Sequence, residues 1–362
     1  MRLRLLTAAV LLSLLGVGQA LAFDPFGTSG RFRGFGVKNC GAPVMEQLRG
    51  ACDPPAVAPD LPASERAKAH LQRAIALVSF LRLETAYEEV TAAVAADPKN
   101  AEALVFRVRL AMSQMAADAT VRDMNAAFLL ISNDPYLLAT RAEYLLANGD
   151  AKAALRDVSA ALEQKPADED MLFIRARTLM ELDRFDAAAK DFDRALELEP
   201  EDTRAWLFKA QLNLRRGEFE QAVSDATALL ALRNTDISAR ETRALAYTAL
   251  GRNEDAIDDL SGILGKPGEP SAASPAFPQF SGLLIQRAIL LMKVGRAADA
   301  SRDLDAIVTT GGKRALLRMQ VYLRKNGFSD LVIDGQRSAA FDSALQICFI
   351  NQACGRGLIR SL

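Results

Sequence analysis

EDMLFIRARTLMELDRFDAAAKDFDRALELEPED, residues 169–202, is followed directly by TRAWLFKAQLNLRRGEFEQAVSDATALLALRNTD, residues 203–236. Both segments place residue types in the same order. An apolar stripe recurring every three to four residues predicts a first helix, a short polar break predicts a turn, and a second stripe predicts a second helix. Ala176 and Ala210 occupy one matching site on the first helix, and Ala188 and Ala222 occupy one on the second. Small side chains there let two helix backbones approach closely.

The same 34-residue pattern extends in both directions from this pair. Blocks begin at Ala67, Ala101, Pro135, Glu169, Thr203, Ile237 and Ser281, and the last step is longer because Gly265 to Gln279 carries an insertion (about 265–279). The eighth residue is Ala74, Val108, Ala142, Ala176, Ala210, Ala244 or Ala288, and the twentieth is Ala86, Thr120, Ala154, Ala188, Ala222, Ala256 or Ala300. Phe192, Leu260 and Leu304 follow the twentieth residue by one helical turn. Gly149, Gly217, Gly251 and Gly295 mark the turn, while Pro98, Pro166 and Pro200 stop second helices. The second block is the least regular, with Met115, Thr120 and Ser132 at sites where Gly, Ala and Pro are usual.

These in-phase small, aromatic, Gly and Pro types resemble the tetratricopeptide repeat family over about 67–314. The resemblance implies an all-α fold, a right-handed solenoid of about seven helix-turn-helix repeats whose first helices line a concave groove. It also implies a scaffold that binds protein or peptide ligands. Residues two, five, nine and twelve of a block would line the groove: Asp170, Phe173, Arg177 and Met180, then Arg204, Leu207, Gln211 and Leu214, then Ser238, Glu241, Leu245 and Thr248. The Lys/Asn clamp that some cytosolic members use for acidic tails is absent.

A second regularity lies outside the usual hallmarks. The seventh residue of each block is basic (Arg73, Arg107, Arg141, Arg175, Lys209, Arg243, Arg287), and the twenty-third is acidic (Glu89, Asp123, Asp157, Asp191, Asp225, Asp259, Asp303). The two sites lie about equally far on either side of the turn. An antiparallel helix pair would bring them level, so they are expected to form a structural ladder within a block or between adjacent blocks.

Either side of the repeats the chain changes character. Arg2 and Arg4, an apolar run from Leu5 to Gly18 and the small-residue site Ala20-Leu21-Ala22 predict a cleaved signal peptide over 1–22 and hence export, most simply to a bacterial periplasm. No integral membrane segment is expected after cleavage. Residues 23–64 read as a flexible leader, with an Arg/Gly/Phe tract and then a Pro-rich stretch. In an exported chain the four Cys predict disulfides, and pairing by proximity joins Cys40 to Cys52 and Cys348 to Cys354.

Residues 315–362 leave the repeat pattern. Leu317 to Leu323, Gly327-Phe328, Ile333-Asp334-Gly335 and Ala344-Leu345 resemble a peptidoglycan-binding-like helical module. Ser338 and Cys348 depart from that pattern, standing where a Gly and an aromatic are usual. The resemblance implies a tether to peptidoglycan; a cap on the open end of the solenoid is the other reading of the same segment.

Signal removal takes Arg2 and Arg4 from the 44 Lys and Arg, leaving 42 basic residues against 45 acidic ones. So small an imbalance points to no nucleic-acid partner. His70 is the one His, and it falls on the core-facing stripe of the first helix. The sequence contains no phosphate-cradling loop, nucleophile elbow or metal-ligand cluster, so neither catalytic activity, cofactor nor metal is expected. The sequence thus predicts a periplasmic scaffold that binds protein partners in its groove with a tether to the cell wall. Its alternative is a cell-wall accessory protein whose main ligand is peptidoglycan.

Overall fold

A computed structural model of the chain describes residues 57–79, 82–113, 117–267, 281–351 and 354. The expected signal peptide, nearly all of the leader with Cys40 and Cys52, Met115, most of the insertion and residues 355–362 lie outside the described residues. The chain divides into two compact units, one ending at Asp202 and the other starting at Thr203.

The first unit holds four helix pairs. They are α1 (Ala63–Ser79) with α2 (Leu83–Ala96), α3 (Ala101–Ser113) with α4 (Ala117–Ile131), α5 (Pro135–Ala147) with α6 (Ala151–Gln164), and α7 (Glu169–Glu181) with α8 (Phe185–Leu198). The second unit holds α9 (Thr203–Arg216) with α10 (Phe219–Leu232), α11 (Ile237–Leu250) with α12 (Asn253–Leu264), then α13 (Ser281–Lys293), α14 (Ala297–Lys325) and α15 (Ala339–Ile350). Among the described residues there are helices and no strands. The fold is therefore all-α, built by stacking helix-turn-helix repeats.

Side-chain size sets the pairing. At the eighth position every residue from Ala74 to Ala288 is fully buried, and at the twentieth only Thr120 departs from zero exposure, at 2%. With nothing larger than Val or Thr between them, the helices of a pair pack backbone to backbone. Phe192 and Leu260 then fill the space one turn further along.

Local chemistry fixes where several first helices begin. Asp134 accepts hydrogen bonds from the Tyr136 and Leu137 amides, with Pro135 at the first helical position. Asp168 and Asp236 accept from the Met171 and Ala239 amides, and Asn100 accepts from Ala103. Asn100, Asp134, Asp168 and Asp236 all occupy the last position of a block. Their recurrence is an N-cap signal that lies outside the small, aromatic, Gly and Pro types of the repeat. At the turn Gly149, Gly217, Gly251 and Gly295 have φ near +80°, and Asp183 holds the equivalent site at φ 55°.

The C-terminal segment joins the repeats differently from the sequence expectation. Helix α14 runs unbroken through residue 315, with Gly311 and Gly312 still helical. No proline or left-handed residue intervenes to stop it. Leu316, Met319, Leu323, Leu331, Phe341, Ala344, Leu345 and Cys348 pack into the same core cluster as Leu290, Leu291, Ala300 and Leu304. The loop before α15 is clamped by Gln320, which is 1% exposed. Its Oε1 accepts from the Asp334 and Gly335 amides, and its Nε2 donates to Asp334 Oδ1 and the Gln336 carbonyl. Ser338 caps α15 through the Phe341 amide, and Cys348 is bonded to Cys354.

Candidate functional site

The charged positions repeated through the blocks meet in pairs. Arg73–Glu89, Arg107–Asp123, Arg141–Asp157, Arg175–Asp191, Lys209–Asp225, Arg243–Asp259 and Arg287–Asp303 each form an ion pair within their own block, at 2.5 to 3.7 Å. Four rungs are bidentate, with Nε and Nη2 of Arg141, Arg175, Arg243 and Arg287 each donating to one carboxylate oxygen. The planar guanidinium fork matches a carboxylate edge, a geometry the Lys209 ammonium cannot reproduce. That rung is the longest, and Asn213 donates to Asp225 at 2.7 Å to complete it.

Hydroxyls tie some rungs to the preceding block, Arg243 to Thr227 and Arg287 to Ser261. Burial also grades the ladder. The side chains of Arg73 and Glu89 are 23% and 17% exposed, whereas those of Arg287 and Asp303 are 2% and 1% exposed. His70 belongs to this system: its Nδ1 lies 2.8 Å from Glu89, the acid already paired with Arg73. It is half-buried at the edge of the core.

The residues expected to line a groove fall into two groups. Phe173, Met180, Leu214 and Leu245 are buried at 4 to 6% exposure, which corrects their assignment as open groove lining. Leu214 and Leu245 pack together with Ala222 and Ala246, so the stacking of one block on the next consumes them. The Phe173 ring lies 6.1 Å from that of Phe192, and the Arg177 guanidinium sits 5.5 Å over its face.

Arg177, Arg204, Leu207, Gln211, Glu241 and Thr248 are half-buried, Asp170 likewise, and Ser238 is exposed. In the second unit Leu207 and Gln211 on α9 and Glu241 and Thr248 on α11 are partly exposed, with Leu207 also packing on Leu229, Leu230 and Ala239. Burial pushes the Glu241 carboxyl above its ordinary value. Phe208 and Gln286, both half-buried, are sixth residues of their blocks. They share this helix face and were missed because the family pattern was applied at residues two, five, nine and twelve alone.

Among the described residues no group of His, Cys, Asp and Glu is arranged to hold a metal ion. No helix among them is long and apolar enough to cross a membrane.

Comparison with known proteins agrees with this architecture. Residues 175–237 match the tetratricopeptide repeat family. No curated protein sequence matches the chain. Among solved structures, the type IV pilus biogenesis factor PilW superposes with a TM-score of 0.51 at 14% identity, over 54% of this chain and 91% of its own. The APC/C hetero-tetramer Cut9–Hcn1 gives 0.55 at 16% identity, over 61% of this chain and 42% of that one. A tetratricopeptide repeat protein from Parabacteroides merdae gives 0.47 at 21% identity, over 68% and 93%. The fold is that of tetratricopeptide-type helical-repeat proteins. At such identities the likeness extends to fold alone.

Proposed function

We propose that the chain is an exported scaffold that captures protein partners on the first-helix face of its repeats. The observation that carries this reading is the half-buried, mixed-polarity surface of Leu207, Gln211, Glu241 and Thr248. An extended or helical segment can anchor there through apolar contacts and be oriented by the polar groups. Photo-crosslinking in intact cells tests it. A crosslinker at Gln211 or Thr248 captures protein, and one at exposed Glu220 on α10 does not. Equal capture from both helices overturns the assignment.

Export to the periplasm rests on residues 1–22. Amino-terminal sequencing of the protein recovered from cells should begin just after Ala22. An intact start in a cytosolic fraction refutes export.

The C-terminal segment is best read as a cap, because its apolar residues complete the core of the last repeats. Attachment to peptidoglycan remains the competing reading, favoured by the Gln320 clamp on the Asp334-Gly335 turn. Sedimentation of the intact chain with purified sacculi separates the two. A chain left in the supernatant supports the cap, and a pelleted one supports the wall tether.

A further inference from the structure

The outward face of α4 differs from that of the second helices around it. Leu129 is 89% exposed and Val121 is 42% exposed, on one stripe with exposed Asn125 midway between them. Leu130 beside them is 47% exposed. At the site of Leu129 the blocks on either side carry Ala95 and Glu163, and the next one carries Glu197. Single exposed leucines are ordinary, but an apolar stripe at a site that is small or charged elsewhere marks a contact surface.

The neighbouring helices frame this stripe with opposite charge. Helices α2 and α6 belong to the same unit as α4. Tyr87 on α2 donates to Asp123 on α4, and Gln164 at the end of α6 donates to the Asn133 carbonyl just after α4. The eighteenth and twenty-second residues of the block are Glu84 and Glu88 on α2, and Lys152 and Arg156 on α6. All four are exposed, and none belongs to the ladder. Because their positions match, the acids and the bases stand at equal heights on either side of α4. Arg122, whose charge acts on Tyr87, adds one base to the α2 side, and Glu163 adds one acid to the α6 side. Each flank thus keeps a surplus of its own sign.

We propose that this second-helix face is a homodimer interface, occupied by a second copy of the chain related by a two-fold axis parallel to the helices. Rotation about that axis lays α4 along α4 of the other copy and exchanges the flanks. Glu84 then faces Lys152 of the partner subunit, and Glu88 faces Arg156 of the partner subunit. Val121 and Leu129 meet their own copies, and the two Asn125 amides, each donor and acceptor, bond to one another. An axis across the helices is disfavoured, since it sets α2 on α2 with acid against acid. Helices of 14 or 15 residues are about 20 Å long and lie about 10 Å apart. Three of them offer about 600 Å² per partner, the lower edge of specific interfaces, which suits a reversible dimer in the micromolar range. The interface uses the helices opposite to those of the capture reading and stands independently of it.

Sedimentation velocity of the intact chain from about 1 to 500 μM tests the proposal. The native chain passes reversibly from monomer to dimer, and Leu129→Asp weakens the dimer at least about tenfold. The double variant E84K/E88K makes both flanks basic, and K152E/R156E makes both acidic. Each alone stays monomeric, while their mixture forms a one-to-one heterodimer at least as tight as the native dimer. The substituted sites are exposed, and an unchanged circular-dichroism melt shows that each variant folds. A native chain that is monomeric throughout the range overturns the proposal. So does a dimer that survives Leu129→Asp, one that forms equally well in either charge variant alone, or a mixture that associates no better than its components.

Discussion

Arg287 and Arg73 hold the same place in their blocks and differ in what surrounds them. Arg287 is buried with Asp303 and also reaches Ser261, so truncating it strands an unpaired carboxylate in the core. Arg287→Ala should cost about 3–5 kcal/mol, and Arg73→Ala about 0–1 kcal/mol, since water and His70 remain available to Glu89. Urea denaturation of both variants checks the contrast.

Lys209 is the one Lys in the ladder, and its rung is 3.7 Å long. Lys209→Arg should gain roughly 0.5–1 kcal/mol by making the rung bidentate, read in the same titration.

Glu241 carries a pH signature. Its folded proton affinity is raised by burial above the ordinary value of 4.5. Folding therefore carries a cost at neutral pH that disappears as pH falls below the unfolded value. Glu241→Gln should raise the melting temperature at pH 7 and lose that advantage towards pH 4. A gain that persists unchanged at low pH would contradict burial as the cause.

At the scale of the element, the turn decides how closely two helices follow one another. Gly251 at φ 77° adopts the left-handed region freely, whereas Asp183 carries a Cβ into it at φ 55°. Asp183→Gly should stabilise the fold by about 0.5–1 kcal/mol, and Gly251→Ala should destabilise it by at least about 1 kcal/mol. Thermal melts of the two variants give opposite signs if the turn is the cause. The glycines were legible as turn markers because they recur in phase. Asp183 was not, since nothing in its side chain announces the conformation that its neighbours impose.

Helix α14 presents the reverse case. Gly311-Gly312 reads locally as a break, yet the helix continues because Leu316, Met319 and Leu323 gain a shared core beyond it. Burying each such side chain is worth about 1.5–3 kcal/mol, more than two helical glycines cost at about 1 kcal/mol each.

For the molecule as a whole, the C-terminal segment is continuous with the unit that starts at Thr203. Truncation after residue 314 would cut α14 and uncover Leu290, Leu291 and Leu304. Amide exchange in α13 and the remainder of α14 should then become fast, while α5 to α8 in the other unit keep their protection. Unchanged protection in α13 would mean that the segment is merely attached.

The repeat, the pairing of Arg or Lys with an acid and the small residues between helices were determined by the sequence itself. All three recur at a fixed spacing, and contacts within one helix pair are set by that spacing. Only the tertiary structure decided which first-helix residues stay open and which rung is buried. The same position holds Phe173 in the core and leaves Glu241 half-open. Burial depends on how neighbouring blocks and the end of the chain pack over a site, and those are contacts that no local pattern encodes.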